Sequence, residues 1–214
     1  MSDKDIIDFD QDESVVVETR TERQIKKSMK KKEKSVSIGR EIASFAIYII
    51  VAIALSAFIL MFVGQRTVVV GESMMNTLHD QESIIVDKIS YRFKDPERFD
   101  IIVFPYQEGK NTNYIKRIIG LPGETVQIKD QKIYINGELL EESYGRELID
   151  KNNYGRAEEP IKLGDDEYFV LGDNRNNSMD SRTSQVGNVK RSIIIGRAWL
   201  RCWPFDKFGF IRHQ

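Results

Sequence analysis

The chain has 214 residues, 41% of them hydrophobic and 30% charged, which is enough for one large or two small folded domains. Cys202 is the only cysteine, so an intramolecular disulfide and a cysteine-rich metal site are excluded, and a small, buried apolar role is expected for it. The formal net charge of −1 hides two opposed blocks at the N-terminus.

Residues 1–22 are acidic, with Asp3, Asp5, Asp8, Asp10, Asp12, Glu13, Glu18 and Glu22 against Lys4 and Arg20. Residues 23–40 reverse the sign through Arg23, Lys26, Lys27, Lys30, Lys31, Lys32, Lys34 and Arg40. Such blocks predict a solvated, disordered tail over 1–41. No aromatic residues are interleaved with the basic block, which argues against nucleic acid as its partner. The run IASFAIYIIVAIALSAFILMFV, residues 42–63, carries no charge. As a helix it covers about 33 Å, enough for a bilayer core of about 30 Å. It starts too far into the chain, and is too long, for the apolar core of a cleavable signal peptide. The basic cluster precedes the span and only Arg66 closely follows it, so the expected topology is a single pass through the cell membrane. The N-terminus is then cytoplasmic and residues 65–214 form an extracytoplasmic body.

Beyond the span, short stretches rich in Val, Ile, Tyr and Phe alternate with Gly, Pro, Asp and Asn turns. RTVVVG, SIIVDKISY, DIIVFPY, YIKRIIG, ETVQIKDQKIYING, EYFVLG and SIIIGRAWLRCW are predicted strands. VQIKDQKIYI reads as a hairpin turning at Asp130-Gln131, with Asn136-Gly137 as the next tight turn. Residues 141–160 are polar and weakly periodic, an excursion loop. The expected fold class is mainly β: an antiparallel sheet or partial barrel tethered by one N-terminal transmembrane helix.

Three stretches do not suit plain strand and turn sequence. GESMMNTL, residues 71–78, sets Ser73 among residues of neither helical nor strand period. NYIKRIIGLPGE, residues 113–124, places Lys116 inside an apolar strand. GDNRNNSMDSR, residues 172–182, packs Asp, Asn, Arg and Ser into eleven positions. A nucleophilic serine needs a base, and the only histidines are His79, six residues after Ser73, and His213, in what reads as a frayed terminus. Lysine serves as a base when neutral, and desolvation among apolar residues lowers its pKa by several units. Strand alternation puts Lys116 with Tyr114 on one face and Ile115 with Arg117 on the other, so an inward Lys116 predicts an Arg117 that points away or snorkels. The strand alone favours a solvated Lys116 at a sheet edge, and His79 stays open as a base.

In this order, behind an N-terminal anchor, the three stretches resemble the bacterial type I signal peptidases, membrane-bound Ser-Lys proteases, with a Gram-positive-like pattern. The resemblance covers roughly residues 40–200. It implies Ser73 as nucleophile and Lys116 as general base, with no cofactor or metal. Ser178 would orient the lysine through its hydroxyl, Asp180 and Arg182 would form a structural ion pair, and Asp173 would brace the same block. The substrates implied are secretory preproteins, cut after small-x-small sites. The substrate would lie extended beside Val69-Val70 and Asn113-Tyr114, with shallow pockets formed partly by Val69, Met74, Leu78 and Ile115. Gly71 stands where some members carry a serine that adds an oxyanion donor, leaving the Ser73 backbone N–H as the expected donor. Asn76 stands where the family usually has proline, and Asn76→Pro is expected to be accepted if the local φ suits it. The competing readings are a noncatalytic relative that assembles or sorts surface proteins, which would have no need of Ser73 and Lys116 together, and a self-cleaving regulator, which should carry a soluble DNA-binding region.

Overall fold

In the computed structural model the described backbone comprises residues 10–58, 64–109, 112–145 and 147–213, with the side chains of 10–20 and 33–39 left aside. The chain divides into two units at Ala57/Phe58.

Among the described residues the first unit consists of the helix α1 (Asp10–Phe58), whose last residue is counted with the second unit. Its segment Arg40–Phe58 is long and apolar enough to cross a membrane. The last residues of the expected span, 59–63, lie outside the described residues, as do residues 1–9. Over 10–41 the structure differs from the expectation of a disordered tail, because this stretch is helical. Glu, Lys, Arg and Gln dominate it, proline is absent, and Gly39 is its one glycine, a composition that favours helix. The charge blocks report only that the side chains of 21–32 are exposed.

The second unit is antiparallel β throughout. Its larger sheet is formed by β1 (Gly64–Val68), β2 (Ser83–Asp87), β3 (Ile101–Pro105), β4 (Asn113–Gly120), β9 (Glu167–Leu171), β10 (Val189–Lys190), β11 (Gly196–Trp203) and β12 (Gly209–Phe210). The strand order is β1-β2-β11-β3-β4-β9-β10, with β12 paired to β11, so β4 lies inside the sheet and β1 at its edge. A four-stranded sheet contains β5 (Thr125–Lys129), β6 (Lys132–Ile135), β7 (Glu138–Leu139) and β8 (Ile161–Lys162) in the order β7-β6-β5-β8. Asp130 and Gln131 have φ of 49° and 65°, and Asn136 and Gly137 have 52° and 85°. Two positive φ values in sequence give the twist of a two-residue hairpin, as both turns were expected to have.

Period-two alternation sorts the core. Ile101 and Val103 pack with Val69, Met74, Leu78 and Ile84, whereas Ile102 and Phe104 pack with Tyr91, Ile118 and Val170. Phe169 and Leu171 instead join Val126, Ile128 and Ile133 of the smaller sheet. The described part of the excursion packs on the smaller sheet: Ile149, Tyr154 and Ala157 are buried in that same cluster. Gly155 allows this approach, since a Cβ there would meet the Arg182 carbonyl oxygen at 2.3 Å. The C-terminus also corrects the expectation of fraying. The Ile211 N–H donates to Trp199 O at 3.0 Å, and His213 Nδ1 accepts the Ile101 N–H at 3.0 Å. Cys202 is partly rather than fully buried, with Sγ 3.2 Å from Ser83 O.

Candidate active site

Ser73 sits on a turn that leaves the edge of the larger sheet. Met74 and Leu78, four residues apart, anchor it in the core at 2% and 0% exposure, and the Leu78 N–H donates to Met74 O at 2.9 Å. The Gly71 N–H closes the turn onto Asp80 Oδ1 at 2.8 Å, which holds the Asp80 carboxyl below its ordinary pKa. Asn76 has φ +95°, a left-handed value that proline cannot adopt, so the expected tolerance of Asn76→Pro is reversed. Asn174 ties this turn to the 172–182 block: its N–H donates to Ser73 O and its Nδ2 to Glu72 O, both at 3.1 Å.

Lys116 comes from the middle of β4, flanked by β3 and β9. It is 4% exposed, which rules out the solvated edge lysine. Its Nζ lies 2.7 Å from Ser73 Oγ and 2.9 Å from Ile115 O, and 5.1 Å from the Tyr114 ring centre. Desolvation lowers its pKa to about 8, against the upward pull of Asp180 and Asp173, while Arg182 adds to the lowering. Among the described residues no hydrogen bond links either histidine to Ser73. His79 Nδ1 is 3.4 Å from Glu82 Oε1, and burial together with the Arg197 charge lowers the His213 pKa to about 4.

Arg117 neither turns away nor snorkels; it is 1% exposed. Alternation on a strand predicts one wet face only where the sheet has one, and β4 is covered on both. Nε donates to Asp173 Oδ1 at 2.8 Å and Nη2 to Asp173 Oδ2 at 2.7 Å, and the guanidinium lies 3.9 Å from the Tyr144 ring centre. Asp173 therefore braces the block through β4. The Asp180–Arg182 pair is bidentate, with both bonds at 2.8 Å, and Asp180 also accepts the Gly172 N–H at 3.1 Å. Ser178 differs from the expectation: its buried hydroxyl oxygen has no hydrogen-bond partner among the described residues, Lys116 included.

An open groove of about 580 Å³ runs past Ser73 and Lys116. Val69, Val70, Met74, Asn113, Tyr114 and Ile115 line it as expected, but Leu78 does not, being wholly buried in the core. Asn177 and Met179 complete the wall, and the Tyr114 hydroxyl donates to Met179 Sδ at 3.3 Å. These two residues lie inside the 172–182 stretch, which was the available signal for them. For Arg117 the signal was a second cation beside Lys116 in an apolar strand.

A serine hydroxyl within hydrogen-bond reach of a desolvated amine, beside a groove in an antiparallel β body, is a site equipped for acyl transfer to serine. The family described as "Signal peptidase, peptidase S26" matches residues 42–203. The signal peptidase I of Bacillus amyloliquefaciens is 39% identical over 184 residues, covering 84% of this chain and 97% of that protein. That of Leptolyngbya laminosa is 44% identical over 165 residues, covering 74% and 78%. A crystal structure of a signal peptidase I from Enterococcus faecalis V583 is 38% identical, with a TM-score of 0.41, over 49% of this chain and 97% of that one. The chain belongs to the signal peptidase family, peptidase S26. Its function is that of a signal peptidase I, a hydrolase acting on preproteins.

Proposed function

We propose that Ser73 and Lys116 are the catalytic dyad and that the enzyme cuts after small-x-small sites in preproteins. The observation that carries this reading is the 2.7 Å approach of Lys116 Nζ to Ser73 Oγ at a lysine only 4% exposed. Neutral Lys116 accepts the Ser73 proton as Oγ bonds to the scissile carbonyl carbon. The tetrahedral oxyanion is held by the Ser73 backbone N–H, which donates to no acceptor among the described residues. Lys116 then gives the proton to the departing amine as the C–N bond breaks. Water, deprotonated by Lys116, hydrolyses the acyl-enzyme and restores Ser73.

The backbone of β4 supports an extended substrate. Asn113, Tyr114 and Ile115 pair with β3 on one side, whereas β9 pairs with β4 from Arg117 onward, leaving the edge of 113–115 unpaired. Main-chain pairing there gives affinity without regard to sequence. Val69, Met74 and Ile115 line the groove and would contact the small side chains. The bilayer is the second partner: α1 carries the apolar span, and Trp199, Trp203, Phe205, Phe208 and Phe210 are exposed on the body. The basic block before the span supports a cytoplasmic N-terminus and an extracytoplasmic body. The test is cleavage of a preprotein by protein purified in detergent. Ser73→Ala and Lys116→Ala should each abolish cleavage without unfolding the body; activity in either would remove the dyad.

A further inference from the structure

Arg117 is saturated. A guanidinium has five N–H donors, and here each has an acceptor: Asp173 Oδ1, Asp173 Oδ2, Thr77 Oγ1, Phe99 O and His213 O. Thr77 belongs to the turn that carries Ser73, and Asp173 to the block that holds Ser73 O through Asn174. Phe99 adopts φ +73°, uncommon for a bulky residue, while it presents its carbonyl to Arg117. His213 is fixed in turn by β3. Its Nδ1 accepts the N–H of Ile101, the residue in register with Arg117. Asp100 Oδ1 lies 3.6 Å from that nitrogen and takes the Arg197 guanidinium at 2.8 Å. Accepting through Nδ1 requires an imidazole without a proton there.

We infer that His213 is a positioning residue: its ring, anchored on Ile101, holds its carbonyl against Arg117, and Arg117 fixes the Asp173 carboxylate near the Ser73–Lys116 pair. This rests on the proposed dyad. The groups that set the charge around Lys116 are Asp180, Asp173 and Arg182, with the Tyr114 ring alongside. A loosened Arg117 leaves Asp173 less neutralised and shifts Lys116 toward its protonated form. The consequence is a catalytic defect concentrated at neutral pH and relieved at high pH. A fault in folding alone would lower activity at every pH.

The experiment compares parent, His213→Leu and His213→Asn as full-length chains in detergent, measuring kcat and KM for preprotein cleavage across pH. Asn carries an acceptor oxygen near the place of Nδ1, and Leu fills similar space without one. His213→Leu should lower kcat at pH 7 by about tenfold with KM little changed, displace the alkaline rise upward, and recover at high pH. His213→Asn should keep the parent profile. If the Leu chain fails to fold, His213→Gln, whose side-chain acceptor falls near the place of Nε2 and not of Nδ1, supplies the comparison with His213→Asn. Equal behaviour of the Leu and Asn chains, or a loss in the Leu chain with an undisplaced rise, overturns the inference. A parent whose activity survives Lys116→Arg instead defeats the dyad reading, so the two failures are told apart.

Discussion

Gly172 lies where the 172–182 block meets the nucleophile turn, and Gly172→Ala probes how closely the two must fit. A Cβ at this position would stand 2.4 Å from Ser73 O, 2.3 Å from Ser178 Oγ and 2.6 Å from Ser178 Cβ. Its φ lies outside the left-handed region, so the added methyl acts through space and not through backbone strain. Ordinary contact begins near 3.4 Å, so the Ser73 carbonyl must retreat by about 1 Å. A displacement of about 1 Å at a reacting group costs on the order of 100-fold in rate, and overpacking of this kind costs about 1–3 kcal/mol in stability. Initial rates of preprotein cleavage over a range of substrate concentrations, beside thermal melts followed by circular dichroism, separate the two effects. Gly209→Ala is the control, because no atom lies within 4 Å of its added Cβ. A Gly172→Ala enzyme within twofold of the parent in kcat/KM would refute the claim that this contact sets the position of Ser73.

Asn76→Pro should lose stability by more than about 1 kcal/mol and cleave poorly, whereas Asn76→Gly should retain activity; comparing their melts and rates checks this. The lowered His213 pKa predicts an acid-dependent loss of stability. The unfolded chain takes up this proton below about pH 6.5 and the folded one only near pH 4, so stability falls between those values by about 3 kcal/mol in total. Denaturant titrations of parent and His213→Asn across this window should show the slope in the parent alone. Lys116→Met should be inactive yet more stable at pH 7 by up to about 3 kcal/mol, because it removes the cost of a desolvated ammonium. That gain should shrink as pH rises from about 8 to 10.5, where the folded parent sheds its proton before the unfolded one, and melts at several pH values would reveal its absence.

The strands were legible because alternation and turn residues act locally. Asp130-Gln131 and Asn136-Gly137 turn as their types require, and runs rich in Val, Ile, Tyr and Phe became β2, β3, β4 and β9. Ser73 and Lys116 stood out as departures from those patterns, and the family resemblance supplied their proposed roles. Other features depend on contacts remote in sequence. Arg117 is buried because both faces of β4 are covered, and its acceptors come from residues 77, 99, 173 and 213. Leu78 was a pocket residue only by the family resemblance, but a four-residue spacing from Met74 turns it into the core. Charge alone could not reveal that residues 10–41 are helical, since a solvated surface suits helix and coil alike. The excursion is held to the smaller sheet by Ile149, Tyr154 and Ala157, too scattered to form a period.

The central claim is that a desolvated lysine, not a histidine, takes the serine proton. The most direct measurement is the pH dependence of kcat/KM for preprotein cleavage in the parent, Lys116→Arg and His79→Ala. With the Lys116 pKa lowered to about 8, its neutral form increases as pH rises through that value, so the parent should gain activity toward a plateau above it. Guanidinium stays protonated throughout, so Lys116→Arg should be as inactive as Ser73→Ala. His79→Ala should keep both the activity and the shape of the parent profile. A rise centred near pH 6.5 that vanishes in His79→Ala, or an active Lys116→Arg enzyme, would contradict the account.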